Sequence, residues 1–187
     1  MPSDYHEIEL KFEIKNPSAI RRKLRKLKAK FIGKAFERAF QLDTKNKDLR
    51  KKGVFLRVRT GFKNTLTLKK RLENKKFKER EEIELEISDP EKMKIILQAL
   101  GFNRFRIMEK YREKWHLGSA EITIDRLPMG CYVEIEGGEK TIEEIAGDLG
   151  FDIKYGITKT YWGLWRDYAK ENGIKDENII FNKRRNF

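Results

Sequence analysis

Acidic residues recur two apart in this chain at Glu7/Glu9, Glu82/Glu84 and Glu134/Glu136, and basic residues do the same at Arg57/Arg59 and Lys110/Arg112. In an extended strand, residues two apart share a face, so each pair sets like charges side by side. Such neighbours repel unless something of opposite charge lies between them. Carboxylate pairs suit a hard divalent cation with oxygen ligands, Mg²⁺ or Mn²⁺. Basic pairs suit phosphate oxygens, arginine through bidentate contacts. Together they describe a metal–polyphosphate site, in which mutual neutralisation offsets the desolvation of many ionic groups.

The elements that must position these pairs read mostly as strands. Residues 5–14 alternate strictly, with Glu7, Glu9, Lys11 and Glu13 on one face and Ile8, Leu10, Phe12 and Ile14 on the other. Similar patterns predict strands near 35–43, 53–60, 64–71, 80–88, 104–116, 120–126 and 131–137. In nearly every one an apolar face opposes a face of mixed charge: Thr65, Thr67, Lys69 and Arg71 oppose Leu66 and Leu68, and Glu121, Thr123 and Asp125 oppose Ile122 and Ile124. Asn16-Pro17 opens a helix with the stripe Ile20, Leu24, Leu27 and Phe31. Asp89-Pro90 opens a second, with Met93, Ile96, Leu97 and Leu100 inward. Thr141 and Glu144 form a capping box for a third, Ile142 to Leu149, and Tyr161 to Glu171 reads as a fourth. The expected fold is α+β, an eight-stranded antiparallel β-barrel whose charged face lines a water-filled tunnel, with helices packed outside on the apolar face. Residues 1–172 form one domain, and 173–187 read as a polar, mobile tail.

Composition narrows the classes. Of 187 residues, 43 are Lys or Arg and 30 are Asp or Glu, a formal charge of +13 that calls for an anionic partner. The single cysteine, Cys131, excludes an intrachain disulfide or a thiolate zinc site, and two histidines leave little room for a histidine metal centre. No run approaches the roughly 20 apolar residues of a membrane helix, and the N-terminus has no export pattern, so the expected setting is the cytoplasm, away from membranes.

Glu7-Ile8-Glu9-Leu10-Lys11 resembles the ExExK signature of CYTH proteins, also called triphosphate tunnel metalloenzymes. In order along the chain, Asp43-Thr44 with Gly53 and Leu56-Arg57-Val58-Arg59 resembles the family's DT…G..LRxR segment, Leu66-Thr67-Leu68-Lys69 its LTxK, and Arg80-Glu81-Glu82-Ile83-Glu84 its RxExE. Lys110-Tyr111-Arg112 resembles KxR, and Ile124-Asp125 with Gly130 and Val133-Glu134-Ile135-Glu136 resembles the D…LG.fvEIE block. The resemblance implies metal ligation by Glu7, Glu9, Glu134, Glu136 and Asp125, with Mg²⁺ or Mn²⁺ as the cation. It implies triphosphate contacts from Lys11, Arg57, Arg59, Lys69, Lys110, Arg112 and Lys159, and a catalytic set of Lys11, Arg57, Arg59, Lys69, Glu82 and Glu84. Two departures stand out: Phe40 and Leu42 replace common tyrosines, and Thr158-Lys159 resembles the triphosphatases whereas Tyr161 with Leu164 resembles the cyclases.

Three functions follow. The first is metal-dependent hydrolysis of a triphosphate (tripolyphosphate, nucleoside or thiamine triphosphate, or an RNA 5′-triphosphate). The second is class IV cyclisation of ATP to cyclic AMP and pyrophosphate. The third, non-catalytic binding of RNA or a phospho-ligand, needs bases without the acidic pairs. Hydrolysis is preferred because cyclisation demands extra positioning of the ribose. A homodimer is left open.

Overall fold

The computed structural model describes residues 6–72 and 76–181. Tyr5 and the terminal NKRRNF lie outside them. Eight strands are present: β1 (His6–Ile14), β2 (Lys30–Asp43), β3 (Val54–Thr60), β4 (Thr65–Arg71), β5 (Lys78–Glu86), β6 (Arg104–Leu117), β7 (Ala120–Leu127) and β8 (Gly130–Glu136). They close into a barrel in the order β1-β5-β4-β3-β2-β6-β7-β8, each neighbour antiparallel. Strand β1 is the seam: His6–Glu9 pair with β5 and Glu9–Ile14 pair with β8.

Most of the outward apolar residues are buried by helices. α1 (Pro17–Lys26) and α4 (Glu139–Asp148) set Leu24, Ile142 and Ala146 on Phe12, Trp115, Ile122 and Val133, all 3% exposed or less. Each such aliphatic side chain contributes about 1.5–3 kcal/mol on burial. α3 (Pro90–Ala99) places Leu97 on Leu42, Leu56 and Val58. A short α2 (Asp48–Lys51), not foreseen from the sequence, is held by Asp43, whose carboxylate accepts the Thr44, Leu49 and Arg50 amides at 2.8, 3.0 and 3.1 Å.

Several expectations change. Helix α1 ends at Lys26, and Lys28 takes a left-handed φ of 60°, so Phe31 belongs to β2 and packs tilted against Trp115, ring centres 4.8 Å apart. Strand β2 starts at Lys30, five residues earlier than its pattern suggested, because its long pairing with β6 carries it there. Ile96 and Leu100 are 53% and 69% exposed, since α3 meets β3 through Leu97 and Met93. Leu68, Ile83 and Leu85 on the outer face of β4 and β5 are 40–53% exposed, so the helices do not cover the whole apolar face. Helix α4 begins at Glu139 with Gly138 at its N-cap, so Thr141 lies inside it and is not its cap.

Of the segment read as a tail, residues 173–181 are described, and part of them packs on the barrel. Ile179 is fully buried and bridges β6, its amide donating to the Ile107 carbonyl at 2.8 Å and its carbonyl accepting from the Glu109 amide at 2.7 Å. α5 (Tyr161–Glu171) spans the residues expected of it, and Thr160 caps it by accepting from the Gly163 amide at 3.1 Å. Its Tyr161 and Trp165 pack with Leu127, Tyr132 and Met108, lumen-parity residues at one end of the barrel, so α5 plugs that end. Gly156 lets the preceding loop reach β1: a Cβ there would lie 2.5 Å from Leu10, and the Ile157 amide donates to the Lys11 carbonyl at 2.7 Å.

Candidate active site

The barrel encloses a cavity of about 370 Å³ lined by eight basic and eight acidic side chains. Alternation in the strands puts them there: Glu7 and Glu9 from β1, Arg57 and Arg59 from β3, Lys69 from β4, Glu82 and Glu84 from β5, Lys110 and Arg112 from β6, Glu134 and Glu136 from β8. Strand alternation sets Arg57 and Glu134 on one face, and both line this cavity.

The charges fall into three linked groups. Lys69 lies between Glu7 at 2.6 Å and Glu82 at 2.5 Å. Despite burial, Lys69 and Lys78 hold the Glu7 carboxyl at about 2, while burial and the Glu7 charge push Glu82 up. Arg57 and Arg59 both reach Glu84, at 3.4 and 3.2 Å, and Thr67 donates to it at 2.7 Å. Burial and the neighbouring Arg59 lower the Arg57 pKa. The third group centres on Asp125, which accepts Lys110 at 3.0 Å, Arg112 at 2.5 and 2.7 Å and the Tyr161 hydroxyl at 2.9 Å. Arg112 also contacts Glu134.

Three residues assigned by the resemblance sit away from the open cavity. Asp125 is fully buried and accepts four bonds, three on Oδ2 and one on Oδ1, which ties Lys110 and Arg112 to it. Lys11 shares the lumen face of β1 but is fully buried against the Tyr161 ring, its ammonium 4.5 Å from the ring centre and paired with Glu134 at 2.6 Å and Glu9 at 3.3 Å. Lys159 lies outside the barrel, paired with Asp167 at 2.7 Å.

Other groups join the site that sequence reasoning did not single out. Glu37 of β2 is 2% exposed, and Lys110, Arg112, Arg59 and Arg57 hold its carboxyl at about 2 against the upward push of burial. Gly61 permits this position, since a Cβ there would lie 2.7 Å from the Glu37 side chain. The pattern around Glu37 is blurred because Ala39 and Gln41 share its face. Lys78 contacts Glu9, and burial lowers its pKa to about 8. The signal for Lys78 was its spacing of two from Arg80.

The donor set fits a hard cation. Among the described residues no three carboxylates converge as ready ligands, because lysines hold Glu7, Glu9 and Glu134. Glu136 differs. It opposes Glu9 on β1 and Glu121 on β7 and has no ion-pair partner among the described residues. Water reaches it, but the barrel walls and then Glu7, Glu121 and Glu9 push its carboxyl up to about 8. A cation relieves this crowding.

Glu136→Gln therefore has two expected outcomes. It raises the divalent metal concentration needed for half-maximal activity roughly tenfold, the worth of one charged contact. In metal-free buffer the folded protein keeps a proton on Glu136 that the unfolded chain, titrating near 4.5, releases. That contribution to stability is complete below pH 4.5 and is lost as pH rises through about 8. The glutamine never ionises, so at pH 9 the variant melts higher than the parent by roughly 2 °C, a figure reduced for solvent screening, and the gap closes in acid. Melting curves at pH 5 and 9 with metal titrations check both; no shift in either makes Glu136 a bystander.

The CYTH domain family model matches residues 5–152. This chain belongs to the CYTH domain family. It is 34% identical over 140 residues to a protein of Methanocaldococcus jannaschii provisionally named an adenylate cyclase, covering 74% of this chain and 80% of the relative. A Pyrococcus horikoshii protein of known structure superposes with a TM-score of 0.72 at 29% identity, over 83% of this chain and 96% of its own. A Hippeastrum protein, provisionally named an adenylyl cyclase and described as having a dominant triphosphatase activity, shares the fold with a TM-score of 0.58 at 20% identity, over 95% and 93% of the two chains. The chain is thus an enzyme of the CYTH type. No helix among the described residues is long and apolar enough to cross a membrane.

Proposed function

We propose that this CYTH enzyme hydrolyses a triphosphate held inside the barrel, with water and the triphosphate giving orthophosphate and a diphosphate. The observation that carries this reading is a set of orphaned donors: Arg57, Arg59 and Arg80 line the cavity with a buried Nε that has no hydrogen-bond partner. Buried guanidinium groups are seldom left so, and phosphate oxygens satisfy them.

Arg57, Arg59 and Lys69 would hold the phosphate chain and meet the charge that grows on the transferred phosphoryl group. Glu82 and Glu84 keep these bases extended into the cavity before substrate arrives. Lys110 and Arg112 are fixed by Asp125 and Glu134 from behind. Glu136, with Glu7, Glu9 and Glu121 once the cation takes the place of Lys69, Lys78 and Lys114 beside them, would hold Mg²⁺ or Mn²⁺, which would supply charge neutralisation and an acidified water. No protein nucleophile is needed.

A second reading, cyclisation of ATP to cyclic AMP and diphosphate, is favoured by the name of the Methanocaldococcus relative. Against it, the aromatic rings at the plugged end carry guanidinium groups, Phe55 under Arg80 at 4.5 Å and Trp162 under Arg106 at 4.1 Å, so they offer a purine little open surface. Incubation with tripolyphosphate, ATP or thiamine triphosphate and Mg²⁺ or Mn²⁺ is expected to release orthophosphate, and chelation by EDTA to stop it. Cyclic AMP as the main product from ATP would reverse the choice.

A further inference from the structure

A second cavity of about 670 Å³ adjoins the lumen at the end plugged by α5, the two sharing Phe55, Lys78, Arg80, Thr160 and Trp162. Its charge is unlike that of the lumen. Among the described residues, nine basic side chains line it against three acidic ones. All three acids are already engaged: Glu79 by His6 at 3.1 Å, Glu177 by Arg104 at 2.6 Å and Asp176 by the Asn178 amide at 2.8 Å. Arg50, Arg71, Arg80 and Arg106 have no ion-pair partner among the described residues. Arg80 is 6% exposed, points into both cavities and keeps an unpaired Nε. Four guanidinium groups around one hollow repel one another, and a buried one without an acceptor is costly.

We propose that this cavity receives the continuation of a phosphate chain whose end lies in the lumen, so that linear polyphosphates longer than three units are bound in preference to tripolyphosphate. This rests on the reading of the lumen as a triphosphate site. Repeated phosphate groups match four separate arginines, each a fork of donors. The N-terminal turn of α5, lining both cavities through Thr160 and Trp162, adds its positive end. An RNA strand would need open aromatic faces for its bases, and the Trp162 and Phe55 rings carry Arg106 and Arg80.

The test compares tripolyphosphate, long-chain polyphosphate and a short RNA bearing a 5′-triphosphate, by turnover with Mn²⁺ and by calorimetric binding. For the parent protein the KM per chain end is expected to be about tenfold lower for the long polyphosphate, as one or two charged contacts would give. The Arg50→Gln/Arg71→Gln double variant alters two exposed side chains and should erase most of that difference while leaving tripolyphosphate kinetics unchanged. Arg106→Gln should do the same, with melting temperature as the control for folding. Equal KM for both lengths, or a preference that survives in the double variant, overturns the proposal. Tighter binding of the RNA, lost in the same variants, overturns the choice of a bare phosphate chain. If no phosphate is released from any substrate, yet calorimetry shows the length preference and its loss in the variants, the hydrolase reading falls and the cavity assignment stands.

Discussion

Arg59→Ala is expected to lower kcat by about 10²–10³, the effect of losing one preorganised donor that acts on charge developing in the transition state. Arg59 is held by Glu84 at 3.2 Å and faces Glu37 at 3.8 Å, so its guanidinium is positioned before substrate binds and needs little reorganisation. The fold should survive the change. Glu84 keeps Arg57 and the Thr67 hydroxyl, and Glu37 keeps Lys110 at 3.5 Å. Arg59→Lys retains charge but not the fork, and should recover only part of the loss. Steady-state kinetics with melting temperatures decide it. An unchanged kcat, or a loss explained by unfolding, removes Arg59 from the reaction.

The second large effect concerns stability. Asp125→Ala removes the acceptor shared by Lys110, Arg112 and Tyr161, all buried or nearly so. Removing one partner from a buried ionic network leaves uncompensated charge, at a cost of about 3–5 kcal/mol. For a chain of this length that lowers the melting temperature by roughly 10 °C. Asp125→Asn keeps the volume and one acceptor oxygen and should cost less. The same pair of variants separates two roles. If Asp125 instead binds the cation, Asp125→Asn raises the metal requirement and hardly moves the metal-free melting temperature. The buried four-bond network predicts the opposite, a fall in melting temperature with metal requirement little altered. Glu134 makes a useful comparison, since Lys11 and Arg112 hold its carboxyl well below the ordinary range against the push of burial.

The residues of the site were legible largely because a strand repeats every two residues. That period put Arg57 with Arg59 and Glu134 with Glu136 on a charged face without any knowledge of the neighbours, and a barrel interior is where such a face can persist. Glu37, by contrast, is surrounded in sequence by residues that dilute its face, and its importance comes from Lys110 and Arg112 on β6. Phe31 was misplaced because its spacing from Leu27 also fits a helix, and a left-handed turn at Lys28 intervenes.

Sequence alone therefore determined the family, the strands and which side chains face inward. These depend on local alternation and on the order of short motifs. Tertiary structure decided which charge meets which. Lys69 reaches across from β4 to Glu7 on β1 through closure of the barrel, and Asp125 gathers Lys110 and Arg112 from β6 and Tyr161 from α5. It also decided that one end of the lumen is plugged by α5 and adjoins an arginine-rich hollow. The physical reason is range: a period of two is written in neighbouring residues, whereas register, closure and the docking of α5 come from burial of apolar surface between segments far apart in the chain.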